Sequence, residues 1–354
     1  MGAPTDQDRL VRDELAEPTN GRSRPPTLED VAARAGVSRA TASRVVNADP
    51  RVRPQARDAV VTAVAELGYR PNRAARSLVV REPDSVAVVV PETEQRVFAD
   101  PVIMGMLRGI GAGLDDSPLQ MVLVLGRAGR DTERLERWLR GGHTDGAIVL
   151  SAHLDDQITG VLSDIGLPTV IIGRPPVPAQ GLPYVDLDNV SGGRVAAQRL
   201  LDRGCTRIGT VAGPPDMAAS RDRLEGWRET MLAAGLPADA VEHGDFSSES
   251  GRLAMRRLLA AHPDLDGVFV ASDLMAVAAV GELQSRGHRV PEDVAVVGYD
   301  DSPAAELTTP RLTTVANPSE LLATEATRLL RDLLAGRQVD SAVLPTHLVE
   351  GGTA

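Results

Sequence analysis

Residues 27–47 read Thr-Leu-Glu-Asp-Val-Ala-Ala-Arg-Ala-Gly-Val-Ser-Arg-Ala-Thr-Ala-Ser-Arg-Val-Val-Asn, a pattern that describes two short helices joined by a tight turn. Thr27 is placed to cap the first helix, with Asp30 three residues on to return the bond and favour the helix N-terminus. Leu28, Val31, Ala32 and Ala35 form a helical apolar stripe. Gly36 can carry the backbone through the turn, and Ser38 then caps a second helix from Arg39 to Val46. Val45 and Val46 can face inward, which leaves Arg39, Ala40, Thr41, Ser43 and Arg44 nearer to solvent. Small residues at Ala32, Gly36 and Ala42 let the two helices cross closely. This is helix-turn-helix geometry, in which the second helix lies in a DNA major groove.

Working outward, a third helix is expected from Pro54, a suitable first-turn residue, to Leu67, with Val60, Val61, Val64 and Leu67 on its inner face and Gly68 closing it. From Ser85 the pattern changes to alternating strands and helices. Ser85–Val90, Met121–Leu125, Gly146–Leu150 and Pro168–Ile172 read as buried parallel strands, with helices at 101–116, 131–140 and 155–165 between them. A second series follows, with strands at Arg207–Val211, Ala240–His243, Gly267–Ala271 and Val294–Gly298. Its helices fall at 191–203, 221–235, 249–261, 273–286 and 302–307. The fold class expected is a small all-α helix-turn-helix head followed by an α/β body of two doubly wound parallel-sheet subdomains. Residues 1–24 are polar and aperiodic and read as a disordered extension.

Composition agrees with a multi-domain chain. Its 354 residues are 42% hydrophobic and only 2% aromatic, so the core must be aliphatic. A single cysteine, Cys205, excludes an internal disulfide and suits a reducing cytosol; no export signal or membrane span is evident, and the expected localisation is cytoplasmic. The histidines show no metal-ligand spacing, and no metal or cofactor is implied. The net charge of −11 argues at first against a nucleic-acid partner, but its distribution reverses that. Residues 25–81 carry ten arginines against five acids, which leaves the remainder near −16. A basic head on an acidic body suits a DNA reader whose body is kept off the phosphates.

Together with Glu66-Leu-Gly-Tyr-Arg-Pro-Asn-Arg-Ala-Ala-Arg-Ser-Leu78, the opening stretch resembles the lactose-repressor (LacI/GalR) family of bacterial transcription regulators. The resemblance implies a DNA-binding head at 25–70, a hinge at 71–82 and a periplasmic-binding-protein-like effector and dimerisation body at 83–354. It also implies three chain crossings between the subdomains, near 186, 315 and 340, and a last long helix at 318–335 that returns to the first subdomain. The subdomains would comprise 83–186 with 316–340, and 187–315 with 341–354. The family often has Ser or Thr before the proline of the third helix. Arg53 stands there instead, losing a cap and offering a phosphate contact.

For DNA, Ser38 and Thr41 are expected at phosphates or base edges, and Asn47 at the backbone, with Thr27 counted among the contacts. Arg44 can fork onto a guanine. Arg39 serves either base or phosphate, and Ala40 only accommodates a thymine methyl or leaves space. The hinge is too short to be a stable isolated helix, since fewer than about 12–15 residues are marginal in water. In the family it orders as a pair in the minor groove; Asn72 would touch backbone, Ala75 allow close approach, and Leu78 wedge between base steps. The partners implied are a palindromic operator, a second copy of the chain and a small effector, with no membrane; no leucine heptad suggests a tetramer.

Effectors of open α/β sheets bind beyond the carboxyl ends of the strands. Arg223, Asp273 and Asp300 match family positions there, Phe246 matches an aromatic platform, and Phe98 and Asp100 would close the site from the first subdomain. Arg174 is a further candidate, while Asp188 serves either the subdomain joint or the ligand. For Asp273 and Asp300 the alternative role is helix capping. An Arg/Asp/Asp set suits neighbouring hydroxyls, so a sugar is expected, with a nucleoside or purine as the alternative, acting as inducer or corepressor. No catalytic residues are assigned: Gly109, Gly111 and Gly113 do not form a dinucleotide fingerprint, and no P-loop, nucleophile elbow or HExxH is present.

Overall fold

The computed structural model describes residues 26–46, 49, 51–69, 84–126, 132–154, 157–175 and 181–354. The extension at 1–24, Asn47, and the hinge with Asn72, Ala75 and Leu78 lie outside them. The chain divides into two compact units, residues 1–82 and 83–354.

In the first unit, α1 (Leu28–Ala35), α2 (Arg39–Val46) and α3 (Pro54–Leu67) enclose a small core. The α1 N-terminus is a capping box: the Thr27 backbone N–H donates to Asp30 Oδ2 at 2.7 Å, and the Asp30 N–H to Thr27 Oγ1 at 3.4 Å. Gly36 ends α1 in the left-handed region at φ 65°, where a side chain would be strained. Ser38 Oγ accepts from the Thr41 N–H at 3.1 Å. Val31, Ala32, Ala42, Val60 and Ala63 are fully interior, with Leu28, Val45, Val64 and Leu67 packed against them. Val61 departs from expectation and is 57% exposed. The buried positions 60, 63, 64 and 67 follow the helical period, which turns position 61 onto the outer flank.

The second unit holds two sheets of like topology. The first has strand order β2-β1-β3-β4-β5-β11, from β1 (Ser85–Val90), β2 (Gln120–Leu125), β3 (Gly146–Leu150), β4 (Thr169–Ile172), β5 (Tyr184–Leu187) and β11 (Ala342–Leu344), all parallel. The second has order β7-β6-β8-β9-β10-β12, from β6 (Ile208–Ala212), β7 (Val241–His243), β8 (Gly267–Val270), β9 (Ala295–Asp300), β10 (Thr313–Ala316) and β12 (Leu348–Val349). Only its last strand is antiparallel. The inner strands are Val-rich and buried along their length, as helices on both faces of a parallel sheet require.

Helices α4 (Glu94–Ala99), α5 (Pro101–Leu114), α6 (Thr132–Arg140), α7 (Ile158–Ile165) and α12 (Ser319–Leu334) pack on the first sheet; α8 (Asn189–Asp202), α9 (Ala218–Ala233), α10 (Ser248–Ala261) and α11 (Asp273–Ser285) belong to the second. The chain passes between sheets after Leu187, after Ala316 and after Leu344. The last passage lies beyond the expected 340, because residues 342–344 add a strand to the first sheet beside β5. Periodicity alone also left α4, β5, β10, β11 and β12 unassigned. Residues 303–307 form a 3₁₀ turn rather than an α-helix, and β9 runs on to Asp300. No helix among the described residues is long and apolar enough to cross a membrane.

Two helix pairs approach through glycine. A Cβ on Gly109 of α5 would strike the Glu320 carbonyl of α12. Where α8 crosses α9, a Cβ on Gly193 would strike the carbonyl of Arg223, and one on Gly226 that of Val190. We expect Gly226→Ala to force these helices apart and to cost about 1–3 kcal/mol of body stability. Denaturant unfolding followed by tryptophan fluorescence reads this directly, since Trp227 is wholly buried beside the crossing.

Candidate functional site

On the head, Ser38, Arg39, Ala40 and Arg44 are exposed along one side of α2, with Thr41 half-buried. The Ser38 and Thr41 hydroxyls lie 2.9 Å apart and hydrogen-bond each other. Arg39 Nε pairs with Glu29 Oε1 of α1 at 2.6 Å, which engages one of the guanidinium's five donors. Arg44 is exposed and makes no ion pair among the described residues.

In the body, the carboxyl ends of both sheets face one cleft, with a cavity volume of about 110 Å³. Its floor is Arg223, buried on α9. Arg223 Nε donates to Asn189 Oδ1 at 2.9 Å and Nη1 to the Ala271 carbonyl at 2.7 Å. Its guanidinium carbon lies 3.6 Å from the centroid of the Tyr299 ring, and Asp300 Oδ1 is 3.7 Å from Nη1. Asp300 is 8% exposed, and its other partner is Asn317 Nδ2 at 3.1 Å. Burial drives the Asp300 carboxyl well above its usual range, against the lowering pull of Arg223.

Four non-glycine residues have positive φ among those described: Ser151 at 53°, Phe246 at 68°, Asp300 at 123° and Asp301 at 46°. Three of them line this cleft and the fourth is adjacent. Such conformations cost about 1–3 kcal/mol each and cluster where function requires a fixed side-chain direction. Phe246 is buried against Gly213, where a Cβ would meet its ring, with the Arg223 and Arg96 guanidinium carbons 5.9 and 5.4 Å from its centroid.

The first subdomain contributes Asp100, the N-cap of α5, whose Oδ1 accepts from the Val102 N–H at 2.9 Å. Burial raises its carboxyl and Arg96, 3.7 Å away, opposes the rise. Arg96 and Asp100 share one face of α4 and both line the cleft. Phe98 does not: it lies on the opposite face, 62% exposed, because two residues along a helix turn the side chain about 200°.

Two further expectations are corrected. Asp273 is fully buried beneath the cleft, where it accepts from the Ser302 N–H at 2.8 Å and from Thr314 Oγ1 at 2.6 Å. It supports the turn that carries Asp300, and the neighbouring Ser272 takes the lining position. Arg174 is outside the lining; its Nη2 pairs with Asp222 Oδ2 at 2.5 Å, tying the first subdomain to the second. Asp188 caps α8 by accepting from the Ser191 N–H at 2.9 Å. Sequence reading passed over Arg96, Asp186, Asn189 and Asn317, all in the lining. Asp186 and Asn189 flank Asp188 and are joined by an Asn189 Nδ2 to Asp186 Oδ1 bond of 3.1 Å. Their strand-end position was the available signal.

The cleft thus offers carboxylates, amides and a guanidinium beside an aromatic ring, a set that exchanges hydrogen bonds with a neutral, hydroxyl-rich molecule. No group of three metal-ligating side chains occurs among the described residues.

Asp300 makes stability depend on pH with an unusual sign. A carboxyl raised above its ordinary 3.8 leaves the folded protein holding a proton that the unfolded chain has released, so stability falls as pH rises through that window. We expect the wild type to lose stability relative to Asp300→Asn between about pH 4 and pH 8, by a few degrees in Tm. Paired calorimetric scans across that range test it.

Residues 27–72 match the family described as bacterial regulatory proteins, lacI family, and residues 197–354 match a periplasmic binding protein-like domain. The HTH-type transcriptional regulator CelR of Thermobifida fusca is 51% identical over 333 residues, which is 93% of this chain and 98% of that protein. The structure of a transcriptional regulator CelR–cellobiose complex aligns at TM-score 0.75 and 48% identity, covering 93% of this chain and 100% of that one. The lac repressor dimer bound to operator and the anti-inducer ONPF aligns at TM-score 0.80 and 27% identity, covering 93% and 99%. With a helix-turn-helix head, a two-subdomain α/β body and a relative of this identity over nearly its whole length, the chain belongs to the lacI family of bacterial transcription regulators.

Proposed function

We propose that this regulator is a homodimeric repressor that holds a palindromic operator in the cytoplasm and releases it when a glucose disaccharide of the cellobiose type binds between the subdomains. The observation that carries the reading is the buried Arg223–Asp300 pair at the cleft floor, beside the Phe246 ring. A sugar hydroxyl donates to the desolvated Asp300 carboxyl beside its Asn317 bond, while Arg223 donates to a neighbouring oxygen. The apolar face of the sugar ring suits Phe246. Asp100 adds an acceptor from the opposite wall. The cellobiose complex of the similar CelR supports this effector class, and the sparse aromatic content leaves little for stacking a purine.

In the head, Arg44 reads a base in each half-site, Arg39 contacts a base or phosphate, and Ser38, Thr41 and Asn47 hold the backbone. Ala40 leaves room for a thymine methyl. The hinge, with Asn72, Ala75 and Leu78, orders in the minor groove between the half-sites. Ligand and operator are coupled because each favours a different angle between the subdomains.

A gel-shift titration on an operator selected from random duplexes tests the whole reading. Cellobiose is expected to weaken the complex; glucose and hypoxanthine are not. Tighter binding with cellobiose would refute induction. Asp300→Ala should keep operator affinity and lose the cellobiose response. Arg44→Ala should cost about 1–3 kcal/mol, roughly 5- to 150-fold in operator affinity, and relax preference at one position per half-site.

A further inference from the structure

Among the described residues, three basic side chains of the first wall reach the second. Arg96 donates to the Asp245 carbonyl, Arg174 pairs with Asp222, and His153 meets Asp216. The arginines stay charged at all accessible pH, but the histidine does not. His153 follows β3 in the first subdomain, and Asp216 follows β6 in the second. The His153 Nδ1 lies 2.7 Å from Asp216 Oδ2, and its Nε2 lies 3.2 Å from Glu92 Oε1 in the loop after β1. The adjacent Leu154 N–H donates to the Asp216 carbonyl at 3.0 Å, which holds the two loops in register.

Both ring nitrogens therefore face carboxylate oxygens. A neutral imidazole has one N–H and one lone pair, so one carboxylate would meet a lone pair. Only the imidazolium donates to both. The His153 side chain is 18% exposed and Glu92 11%, so water does little to relieve a mismatch on that side, whereas Asp216 is 40% exposed.

We propose that His153 is a proton-dependent positioning residue: its imidazolium clamps Asp216 of the second subdomain to Glu92 of the first, so that the closed cleft holds a proton that parting the walls tends to release. The proposal rests on the effector reading above for its consequence, though not for the clamp itself. The charged groups facing the ring are Glu92, Asp216 and, beyond Glu92, Arg96, whose Nε is 2.9 Å from the same Glu92 oxygen. Two carboxylates outweigh that one shared cation. The hydrogen bond to Glu92 foremost, and that to Asp216 after it, lift the imidazole to about 9 against the lowering effect of burial. Once the walls part, the ring loses Asp216 but keeps Glu92, which shares its subdomain, so its value falls only part of the way toward the ordinary 6.5. A group raised in the closed form favours closure on the acid side of that window, and the advantage is lost as pH rises through the upper value.

Two measurements decide the matter. Imidazole NMR titration of the ligand-free protein, with His153 assigned by its absence in His153→Gln, should give a midpoint above 8 that falls in Asp216→Asn while Glu92 keeps it above 6.5. A wild-type midpoint near 6.5 overturns the clamp whether or not any sugar binds. Calorimetry with cellobiose should then show the wild type losing affinity by about tenfold between about pH 7 and pH 9.5, while His153→Gln stays nearly flat. Equal slopes in the two proteins would overturn the link between clamp and effector. Failure of the wild type to bind cellobiose at either pH would count against the effector reading alone. Far-ultraviolet circular dichroism confirms that each variant folds.

Discussion

The body is organised around an arginine that has left water. Arg223 is 6% exposed, and a buried cation persists only where its surroundings supply acceptors and charge. Asn189 at the start of α8, the Ala271 carbonyl after β8, and the Tyr299 ring and Asp300 at the end of β9 do so from three separate places in the chain. Their convergence depends on helix α9 lying close against α8, which the paired glycines 193 and 226 permit. The backbone strain at Asp300 and Phe246 lies at the same place, consistent with side chains held in direction by the surrounding packing.

The head and the body are built on different economies of charge. The head keeps its arginines on the surface: Arg39, Arg44 and Arg57 are exposed, and the interior holds only Val and Ala. Around the cleft the body brings cations to the joint between its walls, where Arg96, Arg174 and Arg223 each have an acidic neighbour. A ligand that contacts both walls enters a site already held by charged contacts, so its affinity includes whatever those contacts gain or lose as the walls move.

Most of the architecture was legible from residue pattern. The capping box at Thr27 and Asp30, the glycine at 36 and the Val-rich strands are local signals, and each element formed where its signal lay. What escaped reading was set by distant neighbours. β11 and β12 are three and two residues long and exist only because a sheet edge is there to receive them. At the cleft, Arg223 and Asp300 were legible because a strand or helix end places them. Phe98 was misread because helical phase, not proximity in sequence, decides which side chain turns inward. Asp273 and Ser272 differ by one residue at a helix start, and that step separates a buried support from a lining hydroxyl. His153 and Asp216 stand 63 residues apart, and no periodicity links them.

The late return of the chain to both sheets has a temporal consequence. Residues 342–344 complete the first sheet, residues 348–349 border the second, and Thr353 is buried, its hydroxyl donating to the Val296 carbonyl at 2.7 Å. Neither half of the body is a contiguous stretch, so on the ribosome each waits for those residues to emerge before its edge is sealed. The three-helix head needs nothing beyond about residue 69 and can fold while the rest is still being synthesised. A nascent chain thus carries a finished reader before it owns the machinery that governs it, and the interval is set by the rate of translation.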